Sequence, residues 1–451
     1  VAAGRVVGPG GRCRRVAVPA PPPCHWTTGW PRCGASPVAG CCGAARAVRA
    51  PWATAEGVTR DRLLALLLAA IATGVYTLSA FGQVTPFDYF GRLAVAFTQG
   101  QYWLDGAPSH LNELVVGVGG HAYSVVPPLP ALLLVPFVPF GSTAVIQQAL
   151  SVVAAGASAM PLFLTMRALR IRRDVALWST VLASFGTTLW ISAADGRSWF
   201  AADAVAVLFT SVALLAAARG RSALLVGALI GIASLARLPV LLAAPALLLL
   251  ACQQSSRRLS VRELARLALG IAPAVLLEAG YNVLRWGTPM EVGYSLLSVN
   301  DPFYSRGIWS LSYLPRQVYA IFFQAPVFVD DSPLFLRAPS IGMSLLFTTP
   351  AFLWLLRLPT TWRSWRWSAL LALACLAIIP DVLFGTVGFE QYGYRRSLDV
   401  QPFLIVLLAT VAASPTDLPE RFVPMFRSSI VLSVLITLYF LVALRLFGFA
   451  P

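Results

Sequence analysis

Residues 199–218 read WFAADAVAVLFTSVALLAAA and are followed by Arg219-Gly220-Arg221. About 20 apolar residues is the length an α-helix needs to cross the hydrocarbon of a bilayer. Arginines just past such a stretch mark the cytoplasmic side. The stretch carries one charge, Asp203. An acid inside a span is a functional signal by default, although pairing with Arg197 at the helix end would also account for it.

Working outward, the same pattern recurs along the chain. Apolar runs predict spans at 62–81, 143–167, 175–193, 199–218, 222–236, 238–252, 263–283, 341–357, 367–387, 398–413 and 427–448. A further apolar piece, 128–140, carries Pro128, Pro130, Pro136 and Pro139 and reads as a re-entrant or interfacial segment. Such backbone is tolerated at membrane depth only against protein or a wet cavity. The fold class expected is therefore all-α, a polytopic transmembrane bundle of about eleven spans.

Composition agrees. The 451 residues are 57% hydrophobic and 12% charged, against about 25% charged in a soluble domain. The net charge is +15, carried without a single lysine. Basicity of this size can signal nucleic acid, but the arginines sit in short loops between apolar runs, so no nucleic-acid partner is expected.

The positive-inside rule orients the spans. With Arg60 and Arg62 in the cytoplasm, the loops 168–174, 219–221, 253–262, 358–366 and 414–426 fall inside, and each carries arginine. The other side holds 82–142, 194–198, the turn at Arg237, 284–340 and 388–397. Two of these are long, and long loops without structure of their own are usually functional. The expected division is an N-terminal extension (1–58), a transmembrane module (59–283) with its outer loop 82–142, a second outer loop (284–340), and C-terminal helices (341–451). The extension holds Cys13, Cys24, Cys33, Cys41 and Cys42 near His25, without zinc-ligand spacing, and reads as disordered or spurious. Cys252 and Cys375 read as inert fillers.

Several stretches carry a resemblance. They are Thr85-Pro86-Phe87-Asp88-Tyr89-Phe90 after the first span, Val126-Pro127-Pro128-Leu129-Pro130-Ala131 at the end of that loop, Gly186-Thr187-Thr188-Leu189-Trp190, Tyr281-Asn282-Val283-Leu284-Arg285-Trp286-Gly287-Thr288-Pro289, and Gln391-Tyr392-Gly393-Tyr394-Arg395-Arg396-Ser397-Leu398-Asp399. In order and sidedness, over about residues 60–413, the chain resembles the GT-C class of membrane glycosyltransferases, especially bacterial relatives of protein O-mannosyltransferases and aminoarabinose transferases. The resemblance implies outer loops with short interfacial helices. It also implies transfer of a sugar from a polyprenyl-phosphate carrier, with an acid of the first outer loop as base and basic residues on the lipid phosphate. The family's adjacent acidic pair is here a lone Asp88.

The residues themselves allow these roles. Inverting transfer needs a carboxylate to take the acceptor proton and fixed positive charge for the leaving phosphate. Asp88 is the first candidate base; a helix cap is the plain alternative. Glu113 is the second. Arg237, Arg395 and Arg396 are candidate phosphate ligands, with Tyr392 and Tyr394 beside them. Asp195 and Arg197, in a tight outer turn, are candidate pocket residues or a mutual ion pair. Arg395 and Arg396 have Glu390 or Asp399 as alternative partners. No cofactor or metal is expected, a Glu113–His121 divalent-metal pair being the alternative. The reading is a polyprenyl-phosphate-sugar-dependent, inverting glycosyltransferase acting on a glycan, lipid or protein acceptor. It is placed in the bacterial plasma membrane, with the N-terminus cytoplasmic and the active side outside. The alternative is a secondary transporter or flippase of lipid-linked sugars, though no internal repeat or energy-coupling motif is present.

Overall fold

The computed structural model describes residues 55–330, 334–358, 367–413 and 422–450. The expected N-terminal extension, 1–58, lies almost wholly outside these residues, as do Arg363, Arg366 and Arg421 of the arginine-bearing loops.

Helices make up most of the described chain. In order they are α1 (Ala55–Ala80), α2 (Tyr89–Thr98), α3 (Leu129–Leu134), α4 (Thr143–Ala157), α5 (Ala159–Ala168), α6 (Arg173–Phe185), α7 (Thr188–Asp195), α8 (Ser198–Ala218) and α9 (Ala223–Ser234). Then come α10 (Ala244–Gln254), α11 (Val261–Trp286), α12 (Gly293–Leu297), α13 (Leu314–Phe322), α14 (Leu345–Thr348), α15 (Ser368–Ala374), α16 (Ile379–Val382), α17 (Gln401–Ala413) and α18 (Phe422–Phe447). Among the described residues sheet is limited to two small antiparallel pairs, β1 (Leu114–Val116) with β2 (Ala122–Ser124) and β3 (Val327–Phe328) with β4 (Leu336–Arg337). Local chemistry sets the boundaries. Ser142, Ser222 and Ser260 each accept a backbone N–H of the helix they precede, satisfying donors with no partner inside the helix. Gly196 and Gly287 end α7 and α11 in the left-handed conformation, which glycine adopts without steric cost.

Among the described residues five helices are long and apolar enough to cross a membrane: Gly57–Ala80, Thr143–Ala168, Ser198–Ala218, Val261–Trp286 and Val423–Phe447. The pair α6 and α7, bent by 44°, makes a sixth when taken as one span. The chain is an integral membrane protein on this ground. The remaining expected spans are shorter or broken. α9 has 12 residues, about 18 Å of helix at 1.5 Å per residue, less than the roughly 30 Å of hydrocarbon. Residues 341–357, expected as one span, form α14 and then a 3-10 stretch, Pro350–Arg357. Pro350 has no N–H to donate, so an α-helix cannot run through it. Residues 367–387 likewise break into α15, a 3-10 turn and α16.

Ion pairs sort the loops into two ends. At one, Asp61 near the start of α1 binds Arg167 (2.8 Å) and Arg173 (2.7 Å), and Asp174 faces Arg427 of α18 (3.5 Å). Arg257 joins this end by donating to the Gly220 carbonyl (3.1 Å) and pairing with Glu263 (3.2 Å). These are the arginine-rich loops expected on one side. The other end gathers 82–142, Arg197, Glu390 and the start of the 284–340 loop. There Ser198 N donates to Phe87 O (3.1 Å), Leu129 N to Leu235 O (3.2 Å), and Arg285 to Ser124 O (2.7 Å). Arg445, in the last turn of α18, reaches Phe81 O just past α1 (3.4 Å). α1 and α18 thus run parallel.

The bend between α6 and α7 is tied down from three directions. The Tyr76 hydroxyl donates to Ser184 O (2.5 Å), Thr349 to Gly186 O (2.9 Å), and Gln401 to Ala183 O (3.1 Å) and the Thr187 hydroxyl (3.0 Å). Three carbonyls at the bend, those of Ala183, Ser184 and Gly186, are thus taken by side chains, as apolar surroundings demand.

Candidate functional site

The end that collects the long loops also collects the charges. Asp203 lies five residues into α8, about 7–8 Å below its first residue at 1.5 Å per residue. It is fully buried. Arg237 follows α9 and precedes the 3-10 turn Leu238–Ala243. Its guanidinium contacts three carboxylates: Asp203 (3.2 Å), Asp381 of α16 (3.2 Å) and Asp399 (2.7 Å). Arg395 adds a second contact to Asp203 (3.3 Å), and Arg396 a second to Asp381 (3.0 Å). Arg395, Arg396 and Asp399 share one 3-10 turn, Arg395–Asp399. Three arginines and three aspartates thus form one neutral network near the end of the bundle. A buried charge stripped of its partner is costly, so none of the six side chains is free to leave unaided. The arginines expected to bind phosphate are brought together, but each already holds an aspartate. Arg396 also lies over the Phe384 ring at 4.2 Å, an attraction of cation for ring quadrupole.

Asp88 is 3% exposed, and both its oxygens are engaged. One accepts from Arg92 Nε at 2.6 Å, the other from the Thr143 hydroxyl. It stands at the N-cap position of α2, so the first candidate base serves as an anchor between α2 and α4. Gln147, buried one turn further along α4, completes that anchor. Its amide donates to Phe87 O (2.9 Å) and Gly196 O (2.8 Å), and its oxygen accepts from Phe90 N (3.0 Å).

Glu113 differs. It is half-buried, and its backbone N–H donates to the Tyr89 hydroxyl (2.8 Å). Among the described residues no group donates to its carboxylate. Burial pushes the carboxyl above the usual glutamate range, and Arg395 nearby pulls it back. Tyr294 of α12 is within electrostatic reach of both Glu113 and Arg395, and burial raises its phenol to about 12. Tyr294 and Tyr304 each set an edge against Phe384, at 6.0 and 5.4 Å between ring centres. One free carboxylate therefore shares a region with Arg395 and two tyrosines.

Other sequence candidates go elsewhere. His121 pairs with Asp105 (2.5 Å) and stacks on Trp103 (4.3 Å), away from any pairing with Glu113. Among the described residues no group of three or more His, Cys, Asp or Glu side chains is placed to hold a metal ion. Arg197 bonds Asp195 (3.1 Å), the expected mutual pair, and also Glu390, which closes the turn onto the 388–397 loop. Asp203 takes Arg237 and Arg395 as partners in place of Arg197. Tyr392 and Tyr394 are not surface residues. Tyr392 packs on Phe440 and points at Thr437 (3.5 Å), and Tyr394 donates to Gln317 (3.0 Å), both in the core. Their rings are large apolar groups that the neighbouring helices cover.

Two residues hold more of the structure than the sequence assigns them. Asp381 lies inside an expected span, where an intramembrane acid is a signal of function. Arg285, fully buried, donates to the carbonyls of Ser124 (2.7 Å) and Val126 (3.3 Å), bonds Asn282 (2.6 Å) and Glu291 (2.8 Å), and lies 3.9 Å from the Tyr281 ring centre. It fastens the loop carrying Glu113 to the end of α11.

No protein-family model matches the chain, and no curated protein matches it. Among solved structures it is similar to ArnT from Cupriavidus metallidurans in the apo state. The identity is 16%, the TM-score 0.46, and the match covers 84% of this chain and 76% of that one. It is also similar to the Archaeoglobus fulgidus oligosaccharyltransferase tethered with an acceptor peptide, at 12% identity and a TM-score of 0.44, over 86% of this chain and 56% of that one. Likeness at this level decides nothing about chemistry.

Proposed function

We propose that the chain is an inverting glycosyltransferase that moves a sugar from a polyprenyl-phosphate carrier to a hydroxyl-bearing acceptor at the membrane surface. The observation that carries this is the Glu113 carboxylate, without a hydrogen-bonding partner among the described residues and within electrostatic reach of Arg395 at the loop-bearing end. In the step proposed, the acceptor oxygen attacks the anomeric carbon as Glu113 takes its proton. The bond from that carbon to the phosphate oxygen breaks, and the polyprenyl phosphate leaves with the electron pair. A base whose proton affinity is raised toward neutrality suits this work. Arg395 supplies fixed charge to the leaving phosphate while Arg237 and Arg396 hold the buried aspartates beneath. The base is thus Glu113 rather than Asp88, whose oxygens are already bonded. Asp195, Arg197 and Glu390 shape the rim. The acceptor is a glycan, lipid or protein. In this reading the membrane is a bacterial plasma membrane and this end lies outside, with the first helix starting in the cytoplasm, as the arginine placement supports.

Depth favours an enzyme over a carrier. The ionic network sits within about two turns of the α8 start, whereas transporter sites lie near the bilayer midplane. The test is to incubate the purified protein, and Glu113→Gln, with a panel of polyprenyl-phosphate sugars and membrane acceptors. The expected result is transfer by the native protein, lost about 10²–10⁴-fold in the variant with carrier binding retained. Near-normal transfer by Glu113→Gln would remove the assigned base. Movement of intact lipid-linked sugar across liposome bilayers, without transfer, would replace the enzyme by a flippase.

A further inference from the structure

Helix α13 is built inside out. Its buried face holds Gln317, Ala320 and Ile321. Gln317 is fully enclosed, donating to the carbonyls of Phe384 (2.8 Å) and Thr386 (3.0 Å) and accepting from Tyr394 (3.0 Å). The outward face holds Leu314, Val318, Tyr319 and Phe322, continued by Phe323, all exposed, with Tyr319 at 54% and Phe323 at 61%. The stripe follows helical spacing. It runs on into the β3–β4 hairpin, where exposed Phe328 and Phe335 stack at 5.8 Å. A contiguous apolar surface of this kind marks an interaction site.

The position of the hairpin says what covers it. Leu336 of β4 exchanges hydrogen bonds with the Tyr439 hydroxyl of α18, at 3.1 and 3.3 Å. Tyr439 lies eight residues before Phe447, the last residue of that helix, or about 12 Å along its axis. α18 is one of the helices long and apolar enough to cross a membrane, and its Leu438, Val442 and Leu446 are exposed beside this point. The β3–β4 hairpin is therefore level with the outward-facing apolar side chains of a spanning helix. α13 has nine residues, about 13 Å of helix, too short to cross. A short apolar face of this kind lies in the interface plane, where tyrosine and tryptophan also concentrate.

We infer that α13 and the β3–β4 hairpin form a membrane-seated apron, with the face made by Leu314, Val318, Tyr319, Phe322, Phe323 and Phe328 buried in the acyl and headgroup boundary of the loop-side leaflet. The partner is phospholipid. Through Gln317 the apron grips the Phe384–Thr386 turn and Tyr394, the residue before Arg395, so lipid contact on one side of α13 holds the candidate site on the other. The inference stands whether or not the chain is a transferase.

The test uses spin labels on single cysteines at Val318, Phe323 and Phe328, with the native cysteines changed to serine, in phosphatidylcholine–phosphatidylglycerol liposomes. Collisions with oxygen should exceed those with a water-soluble nickel chelate to the extent seen for Leu438→Cys on α18, and well beyond the exposed loop control Asn300→Cys. A ratio matching the control overturns the inference. So does spin–spin broadening that vanishes on dilution with unlabelled protein, which would put a second copy of the chain on this face. As a second measurement, a photo-crosslinking phenylalanine at Tyr319 in the otherwise unchanged chain should capture phospholipid; capture of another copy, or of water alone, overturns it.

Discussion

Arg237→Met is the sharpest probe of the buried network. The guanidinium touches Asp203, Asp381 and Asp399 at 3.2, 3.2 and 2.7 Å. Methionine keeps much of the volume and removes the charge. Three buried aspartates would then face only Arg395 and Arg396, leaving one negative charge uncompensated. Breaking a buried pair by removing one partner costs about 3–5 kcal/mol. That is a large part of the roughly 5–15 kcal/mol that holds a domain together. Asp399→Asn in the same chain removes the surplus charge, so the double variant should recover most of the loss. The coupling between the two changes, measured by unfolding in mixed micelles as a double-mutant cycle, should approach the upper end of the roughly 0.5–3 kcal/mol found for residues in one network. A single-variant cost below about 1 kcal/mol, as for a surface pair, would refute the reasoning. So would a second change that adds to the loss instead of relieving it.

Three further outcomes follow from the same geometry. Transfer should fall as pH drops through a value above that of an ordinary glutamate, about 4.3, because burial raises the Glu113 carboxyl and only its ionised form accepts a proton; an acid limb at or below the ordinary value, read from the pH–rate profile, counts against Glu113. The same raised affinity means that the ionised carboxylate costs stability above its folded-state pKa, so Glu113→Gln should raise the unfolding midpoint at neutral pH. Asp88→Asn should weaken the α2–α4 anchor by about 1.5–3 kcal/mol, the range for hydrogen bonds to a charged group, and leave transfer measurable; complete loss of transfer in a folded variant would return the base to Asp88.

The lengthwise organisation was legible because it is local. Apolar run length and arginine placement predicted which loops share an end, and Asp61, Arg167, Arg173, Asp174 and Arg427 meet at one end accordingly. What was not legible is pairing across the sequence. Asp88 finds Thr143 55 residues away and Arg237 finds Asp399 162 residues away; no spacing rule reaches that far. Glu113 and Asp88 look alike in sequence, and they separate only when the fold gives one partners and leaves the other without. Tyr392 and Tyr394 failed for a related reason. Their neighbours Arg395 and Arg396 suggested a polar surface, but the Tyr392 ring packs on Phe440 and the Tyr394 hydroxyl finds a buried partner in the Gln317 amide.

The bend between α6 and α7 has a mechanical consequence. A kink is commonly where a helix swivels, and carriers that alternate between two open faces rock about such points. Here the kink is a weld. Tyr76, Thr349 and Gln401, three donors from three separate segments, hold Ser184, Gly186 and Ala183 where α6 ends, and moving that end would unpair them. Each unpaired buried group costs about 1–3 kcal/mol, so even partial rotation is uphill by several kcal/mol with no compensating contact. These bonds pin the bundle at the break between α6 and α7.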